Sequence, residues 1–197
     1  MSTFSGQKKY HRSISKAEEV YELASGGIPT LSSSTPSTKM LVQEAVSVLR
    51  AIDSSLATIL ARMQVLAKSL PEYSTVREMG GVGDVLAPKL IAEIGDVRKL
   101  HSAKALIACA GIDPPPYESG QFVGTNRRMT KRGSSTLRKV GYEVMRVLKS
   151  HPAPKDAAVY NYIIKKENEG KCKKHAKIAG LNKFLRIYYA RVTAVYK

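Results

Sequence analysis

The chain has 197 residues, a hydrophobic fraction of 43% and a formal net charge of +16. This composition excludes wholesale disorder, and no apolar run reaches the roughly 18 residues that a membrane-spanning helix requires. The two cysteines, and an N-terminus without the apolar core of a signal peptide, predict reduced thiols in a cytoplasmic protein.

The first segment, residues 1–36, is polar and charged. A short helix is predicted around residues 16–24. From residue 25 onward the sequence is rich in Gly, Ser, Thr and Pro, which is typical of a linker. We therefore predict a flexible N-terminal segment that is separate from the folded domain.

A long helix is predicted over residues 37–70, within a linker domain of residues 37–72. Apolar residues recur there at spacings of three and four, a pattern typical of an amphipathic helix in a coiled coil or helical bundle: Leu41, Ala45, Val48, Leu49, Ile52, Leu56, Leu60 and Met63. Pro71 ends the helix. An apolar stripe of this length needs a partner, so self-association through this helix is predicted.

Residues 73–95 are predicted to form a helix, a glycine-rich turn and a second helix. Gly81 and Gly83 give the turn its backbone freedom, and Asp84 is expected to cap the second helix. This order resembles a helix-hairpin-helix, in which N–H groups of the turn face a phosphate. A helical hairpin without a ligand is the alternative.

The remaining segments also have helical signals. Ser102 is a predicted cap and Gly111 a predicted stop, and Ser134 or Ser135 is expected to cap a helix that buries Leu137, Val140, Val144, Val147 and Leu148. Two further helices are predicted, from Asp156 to near Gly170 and over residues 174–196. Since no convincing period-two strand is present, the fold class is predicted to be all-α, with one helical domain over residues 73–197.

Positive charge is concentrated in the C-terminal part of the chain. Residues 121–197 hold 19 Lys and Arg against 4 Asp and Glu, whereas residues 1–120 hold 13 against 12. Five cations follow one another without an intervening carboxylate and are predicted to bind phosphates: Arg127, Arg128, Lys131, Arg132 and Arg138. Nucleic acid is the expected partner. An acidic membrane surface fits less well, because the cations are interleaved with turn residues.

Ser119 is the candidate nucleophile. It lies beside Gly120 on a loop that begins with three prolines, so its backbone can approach a ligand closely. No His or Lys neighbours it, and activation would have to come from elsewhere in the fold. Judged without further information, a serine beside a glycine is more often a turn residue.

No metal site is predicted in this chain. Cys172 and His175 are metal-ligand types at helical spacing, but a second pair is missing. The carboxylates Asp84, Glu93 and Asp96 fall at helix ends, where local structure accounts for them.

Several ordered blocks resemble one known family. They include the glycine turn and its following helix to Asp96, the run from Leu106 to Pro114, the Ser119–Gly120 step, and the run from Met129 to Arg138. Together they resemble the C-terminal transposase domain of the insertion-sequence 116/110/902 group. These recombinases are related to the Piv and MooV invertases, and some are guided by a bridge RNA. The resemblance covers about residues 73–150, and residues 160–189 resemble the family's C-terminal end.

The resemblance implies DNA recombination during transposition. In the family, the serine of the Ser-Gly step attacks a DNA phosphodiester, and Ser119 matches that position. The family's Mg²⁺-binding RNase H-like domain is not recognisable here, so Mg²⁺ is expected only together with that domain and no cleavage is expected from this chain alone. The chain would then be a truncated form or a decayed copy. Ser134 stands where the family often has Asn.

Two functions remain after these observations. The chain is either a DNA-binding catalytic fragment of an insertion-sequence transposase, or a non-catalytic helix-hairpin-helix module that binds nucleic acid. DNA is the expected partner, use of a guide RNA is left open, and a cytoplasmic, nucleoid-associated location in a prokaryote is expected. The two functions differ in whether DNA can be trapped covalently.

Overall fold

The structure is a computed structural model that describes residues 4–26, 35–114, 118–119, 122–123, 129–153 and 156–197, with backbone alone for 4–13, 118–119 and 122–123. The described elements, in chain order, are α1 (Phe4–Ser25), α2 (Pro36–Lys68), α3 (Tyr73–Arg77), α4 (Leu86–Ile94), a 3₁₀ helix (Val97–Lys99), α5 (Ala103–Ala110), β1 (Glu118–Ser119), β2 (Phe122–Val123), α6 (Ser135–Ser150), α7 (Ala157–Asn168) and α8 (Lys173–Val195).

The predicted all-α class is confirmed. Within the described residues, the only extended pairing is the antiparallel contact of β1 with β2, in which Glu118 pairs with Val123 and Ser119 with Phe122. Two residues per strand are too few to show a period-two pattern, which is why the sequence did not predict them.

The chain divides into two compact units, residues 1–55 and residues 56–197. In the first unit, α1 begins at Phe4 and is longer than the short helix expected near residues 16–24. Side chains of residues 14–26 and 35–55 are exposed, apart from half-buried Thr38. The boundary between the units falls inside α2, so the proposed division of the chain at residues 36 and 72 stays a prediction.

The second unit has its core around α8. This helix packs against α3, α5, α6, α7 and the 3₁₀ helix. Its predicted inward residues Phe184, Leu185, Tyr188 and Val192 are all buried. They contact a core that α6 supplies with Leu137, Val144 and Leu148. Burial of such side chains typically stabilises a fold by about 1.5–3 kcal/mol each.

Two glycines allow α6, α7 and α8 to pack closely. A Cβ at Gly141 of α6 would lie 2.5 Å from a methyl of Leu181, and one at Gly180 of α8 would lie 2.4 Å from Ile163. Contacts this short are overlaps, so a larger residue would require the side chain of Leu181 or Ile163 to shift. These glycines bring the basic helices α7 and α8 next to α6.

Two sequence predictions need correction in this unit. Asp84 does not cap α4, since its carboxylate accepts hydrogen bonds from the Arg77 guanidinium and the Tyr73 hydroxyl. Val147 is 42% exposed, because it lies at the edge of the stripe that α6 buries. The helix predicted from Asp156 agrees with α7, and the Asp156 carboxylate accepts hydrogen bonds from Gly80 N–H and Arg191 without capping the helix.

Candidate nucleic-acid interface

Residues 129–134, which we call the basic loop, are held against the end of α5 by backbone hydrogen bonds. Thr130 N–H donates to the Asp113 carbonyl at 2.9 Å, and Lys131 N–H donates to the Gly111 carbonyl at 2.9 Å. Ser134 N–H donates to the Cys109 carbonyl at 2.7 Å. Three bonds over five residues fix the path of the loop before α6 begins.

Two glycines make this close approach possible. Gly111 ends α5 with a left-handed φ of 61°, as predicted from its position after the helix. A Cβ on Gly133 would lie 2.1 Å from the Cys109 carbonyl oxygen, where no side chain fits. Glycine at residue 133 is therefore required by backbone contact, independently of any ligand.

The side chain of Arg138, on α6, also stabilises the contact between the basic loop and the end of α5. One guanidinium nitrogen, Nη1, donates to the Ala110 carbonyl at 3.0 Å and to the Gly133 carbonyl at 2.8 Å. The charge of Arg138 thus joins the end of α5 to the basic loop. Its predicted role as a phosphate ligand stays a prediction, while its structural role is established by these two bonds.

Ser134 is the cap of α6, which resolves the alternative between Ser134 and Ser135. Its hydroxyl accepts a hydrogen bond from Leu137 N–H at 3.0 Å and donates to Glu93 of α4 at 3.2 Å. Ser135 is exposed at the first position of the helix. One serine hydroxyl therefore links the start of α6 to α4.

Asp113 and Thr130 lie at the two ends of the segment that carries Ser119 and are hydrogen-bonded to each other. In addition to the backbone bond, the Thr130 hydroxyl donates to Asp113 Oδ1 at 2.9 Å. Between Asp113 and Thr130, the structure describes Pro114, Met129 and the backbone of β1 and β2. Ser119 lies within this segment, with its backbone in β1. Its side chain, together with Gly120, Arg127 and Arg128, lies outside the described residues.

Two predicted phosphate ligands are well placed on the basic loop. Lys131 and Arg132 are both exposed, and Lys131 has a φ of 56°, unusual for a residue other than glycine. Such backbone strain costs on the order of 1–3 kcal/mol and tends to occur at functional sites. Here the bond from Lys131 N–H to Gly111 helps to hold it.

Two glycines of the turn between α3 and α4 make structural contacts with other parts of this unit. Gly81 has a φ of 80°, and a Cβ there would lie 2.7 Å from the Val144 carbonyl of α6. Gly80 N–H donates to the Asp156 carboxylate at 3.1 Å. Gly83 is exposed, with open space beside it. The helix-hairpin-helix and the ligand roles of Gly81 and Gly83 remain predictions.

Several carboxylates of this unit form ion pairs with neighbouring arginines. The hydrogen bond from the Arg77 side chain is the main cause that lowers the pKa of Asp84, and the Arg98 side chain acts in the same way on Asp96. Within the described ranges, no three His, Cys, Asp or Glu side chains are grouped so that they could hold a metal ion. None of the helices described here is long and apolar enough to span a bilayer.

Sequence reasoning missed the residues that hold the loop. Asp113 binds Thr130, which is 17 residues away in the sequence, and Glu93 binds Ser134, which is 41 residues away. No local spacing indicates such pairs, although a threonine and an aspartate at the two ends of a predicted loop would have been a reasonable place to look.

Comparison with known proteins identifies the loop and its surroundings as part of one domain. Residues 73–161 match the family described as Transposase IS116/IS110/IS902. The match includes α4, α5, the Ser119 segment, the basic loop and α6.

Two kinds of relative are similar to this chain. The pilin gene-inverting protein of Moraxella bovis is 29% identical over 117 residues, which are 59% of this chain and 35% of that protein. An insertion element IS116 protein of 44.8 kDa from Streptomyces clavuligerus is 25% identical over 170 residues, 86% of this chain and 41% of that protein. The chain thus spans well under half the length of these relatives.

Proposed function

We propose that this chain is the DNA-binding portion of a recombinase and supplies the serine nucleophile for strand cleavage and joining, since residues 73–161 match the Transposase IS116/IS110/IS902 family. The observation that carries the proposal is the extent of the family match, which contains both the Ser119 segment and the basic loop. The Asp113–Thr130 contact supports it, because it ties the ends of the Ser119 segment to the loop that carries Lys131 and Arg132.

The proposed chemistry is a phosphoryl transfer to Ser119. Its Oγ attacks the phosphorus of a DNA phosphodiester and loses its proton to a base. A serine–phosphorus ester bond forms, and the bond from phosphorus to the leaving nucleotide oxygen breaks. That oxygen takes up a proton and becomes a free hydroxyl. Lys131 and Arg132, with Arg127 and Arg128, would stabilise the negative charge that develops on the phosphate.

Mg²⁺ belongs to the proposal only as a partner of an RNase H-like domain. The described residues of this chain offer no group of three ligands for it.

Self-association through α2 is part of the proposal. The apolar residues of α2 fall on the a and d positions of a heptad from Val42 to Leu66: Val42, Ala45, Leu49, Ile52, Leu56, Ile59, Met63 and Leu66. Leu49, Ile52, Leu56, Ile59 and Leu66 are each at least half exposed. The positions opposite the seam are polar or small, apart from Val65. A second copy of the helix would cover this seam.

The proposed setting is the cytoplasm of a prokaryote, in association with the nucleoid, with DNA as substrate. Both relatives described above are bacterial, which supports this setting. A guide RNA is a second proposed partner. Duplex DNA and structured RNA can be compared directly in the same binding assay.

The deciding experiment is a covalent trap. An RNase H-like domain from a relative is fused before residue 37, and the fusion is incubated with labelled DNA, denatured and resolved by electrophoresis. We expect a protein–DNA adduct that Ser119→Ala abolishes while DNA affinity stays within about twofold. Failure to form an adduct with intact binding would favour the alternative, a nucleic-acid-binding module in which Ser119 is structural.

A further inference from the structure

The connection from α7 to α8 has a large excess of positive charge. Residues 165–177 contain six lysines and two glutamates, and the whole range 156–197 is described. Both glutamates are already engaged: Glu167 with Lys149 of α6, and Glu169 with Lys166 at 2.6 Å. Lys165, Lys171, Lys173 and Lys174 are exposed and make no ion pair with a described carboxylate. We call these four lysines the α7–α8 surface.

Neighbouring lysines are held in place by tyrosine rings. The ammonium groups of Lys166 and Lys183 lie 5.4 and 5.0 Å from the ring centroid of Tyr162, and that of Lys177 lies 5.6 Å from Tyr142. Contacts within about 6 Å are attractive and restrict a long, flexible side chain. These three lysines are not members of the α7–α8 surface, but they add positive charge on the same two helices.

The four lysines lie within ten residues of one another in the sequence. At about 0.1 M salt, charges closer than about 10 Å interact with little screening. Lys173 and Lys174 also lie in the first turn of α8, where the helix dipole disfavours cations. A polyanion that binds here would neutralise these charges.

A contact between α8 and α6 links the start of α8 to the helix that follows the basic loop. Lys177 of α8 contacts Tyr142 of α6, which follows Ser134 by eight residues in the sequence. Eight residues of α-helix rise about 12 Å, about the length of three to four nucleotides of one strand of duplex DNA. A strand of this length that contacts the start of α6 therefore spans the part of α6 that contacts Lys177.

We propose that the α7–α8 surface is a second phosphate-binding surface of this domain and takes the sugar–phosphate backbone of a nucleic acid. The proposal rests on the nucleic-acid partner of the proposed function, and it is independent of Ser119. The backbone could belong to DNA or to RNA, since phosphate and sugar are common to both. Binding here adds affinity without reading sequence.

The test compares two variants of equal charge in the full chain. The surface variant carries Lys165→Glu, Lys171→Glu, Lys173→Glu and Lys174→Glu. The control carries Lys39→Glu, Arg50→Glu, Lys99→Glu and Lys104→Glu, four exposed cations outside the surface. Circular dichroism and melting establish that both fold. Affinity is measured against salt with a duplex of about 30 base pairs, an RNA of about 30 nucleotides and phosphatidylserine vesicles.

We expect the surface variant to lose at least about tenfold in affinity relative to the control, with a salt slope shallower by about 3, for DNA, RNA or both. The nucleic acid that is affected identifies the source of the phosphate. Equal losses in the two variants would overturn the proposal and leave DNA binding by the basic loop standing. Loss on vesicles alone would assign the surface to a membrane and also overturn it. If the wild-type chain binds neither nucleic acid, the proposed function falls as well.

Discussion

Asp113 and Thr130 are 17 residues apart in the sequence and are joined by two hydrogen bonds, one from the Thr130 backbone N–H and one from its hydroxyl. These bonds join the two ends of the segment that carries the candidate nucleophile. We expect Asp113→Leu to lower adduct formation by at least about tenfold, because a displacement of about 1 Å can cost 10² in rate. Asp113→Asn retains an acceptor oxygen and should rescue most of it. Equal activity of the two variants would show that the contact does not position Ser119.

The second prediction separates the serines. Ser134→Ala removes the cap of α6 and the bond to Glu93, and should lower the free energy of unfolding by about 1 kcal/mol. Ser135→Ala is the matched control, since Ser135 is exposed, and should change stability by less than about 0.5 kcal/mol. Chemical denaturation measures both. Neither variant should abolish the adduct. If one does while Ser119→Ala does not, Ser119 is the wrong nucleophile.

The third prediction concerns the cations around the basic loop. Charge reversal of Arg127, Arg128, Lys131 and Arg132 together should weaken DNA binding far more than reversal of Lys8, Lys9 and Arg12. For the wild type, log K should fall against log salt with a slope of roughly −5 to −7 if about six to eight phosphates are contacted. Fluorescence anisotropy at several salt concentrations measures both quantities. A flat salt dependence would contradict nucleic-acid binding through these charges.

The fourth prediction tests self-association through α2. Leu56→Glu with Ile59→Glu places two charges on the heptad seam, and the chain should become monomeric in sedimentation at high micromolar concentration. Ala57→Glu with Ala61→Glu adds the same charge at exposed positions away from the seam and should leave the assembly intact. A wild-type chain that is already monomeric at that concentration would rule the assembly out.

The fifth prediction concerns the contact between the basic loop and α5. Gly133→Ala should destabilise the fold by more than about 2 kcal/mol, because the added Cβ would overlap the Cys109 carbonyl at 2.1 Å. Gly83→Ala is the control, since no atom lies within 4 Å of a Cβ at that glycine. Thermal melting compares them. Similar stabilities would mean that the loop relaxes away from α5 at little cost.

Local signals in the sequence were enough to place most helix ends. The cap at Ser102 and the stop at Gly111 were predicted and are confirmed by their hydrogen bonds and backbone angles. The start of α6 was predicted at Ser134 or Ser135, and the structure selects Ser134 as the cap. Capping interactions span three or four residues, so a single sequence contains them in full. The same holds for the length of α2 and for the all-α class, which follow from apolar periodicity.

Only the tertiary structure decided which distant groups meet. The pairing of Asp84 with Arg77, the bond from Ser134 to Glu93 and the bond from Arg138 to the Ala110 carbonyl each depend on how separate elements are brought together. The sequence by itself determined most helix ends of the second unit and that the C-terminal part is basic. Packing determined that Arg138 and Gly81 hold the fold together, because hydrogen-bond partners and steric contacts between separate helices leave no trace in local spacing.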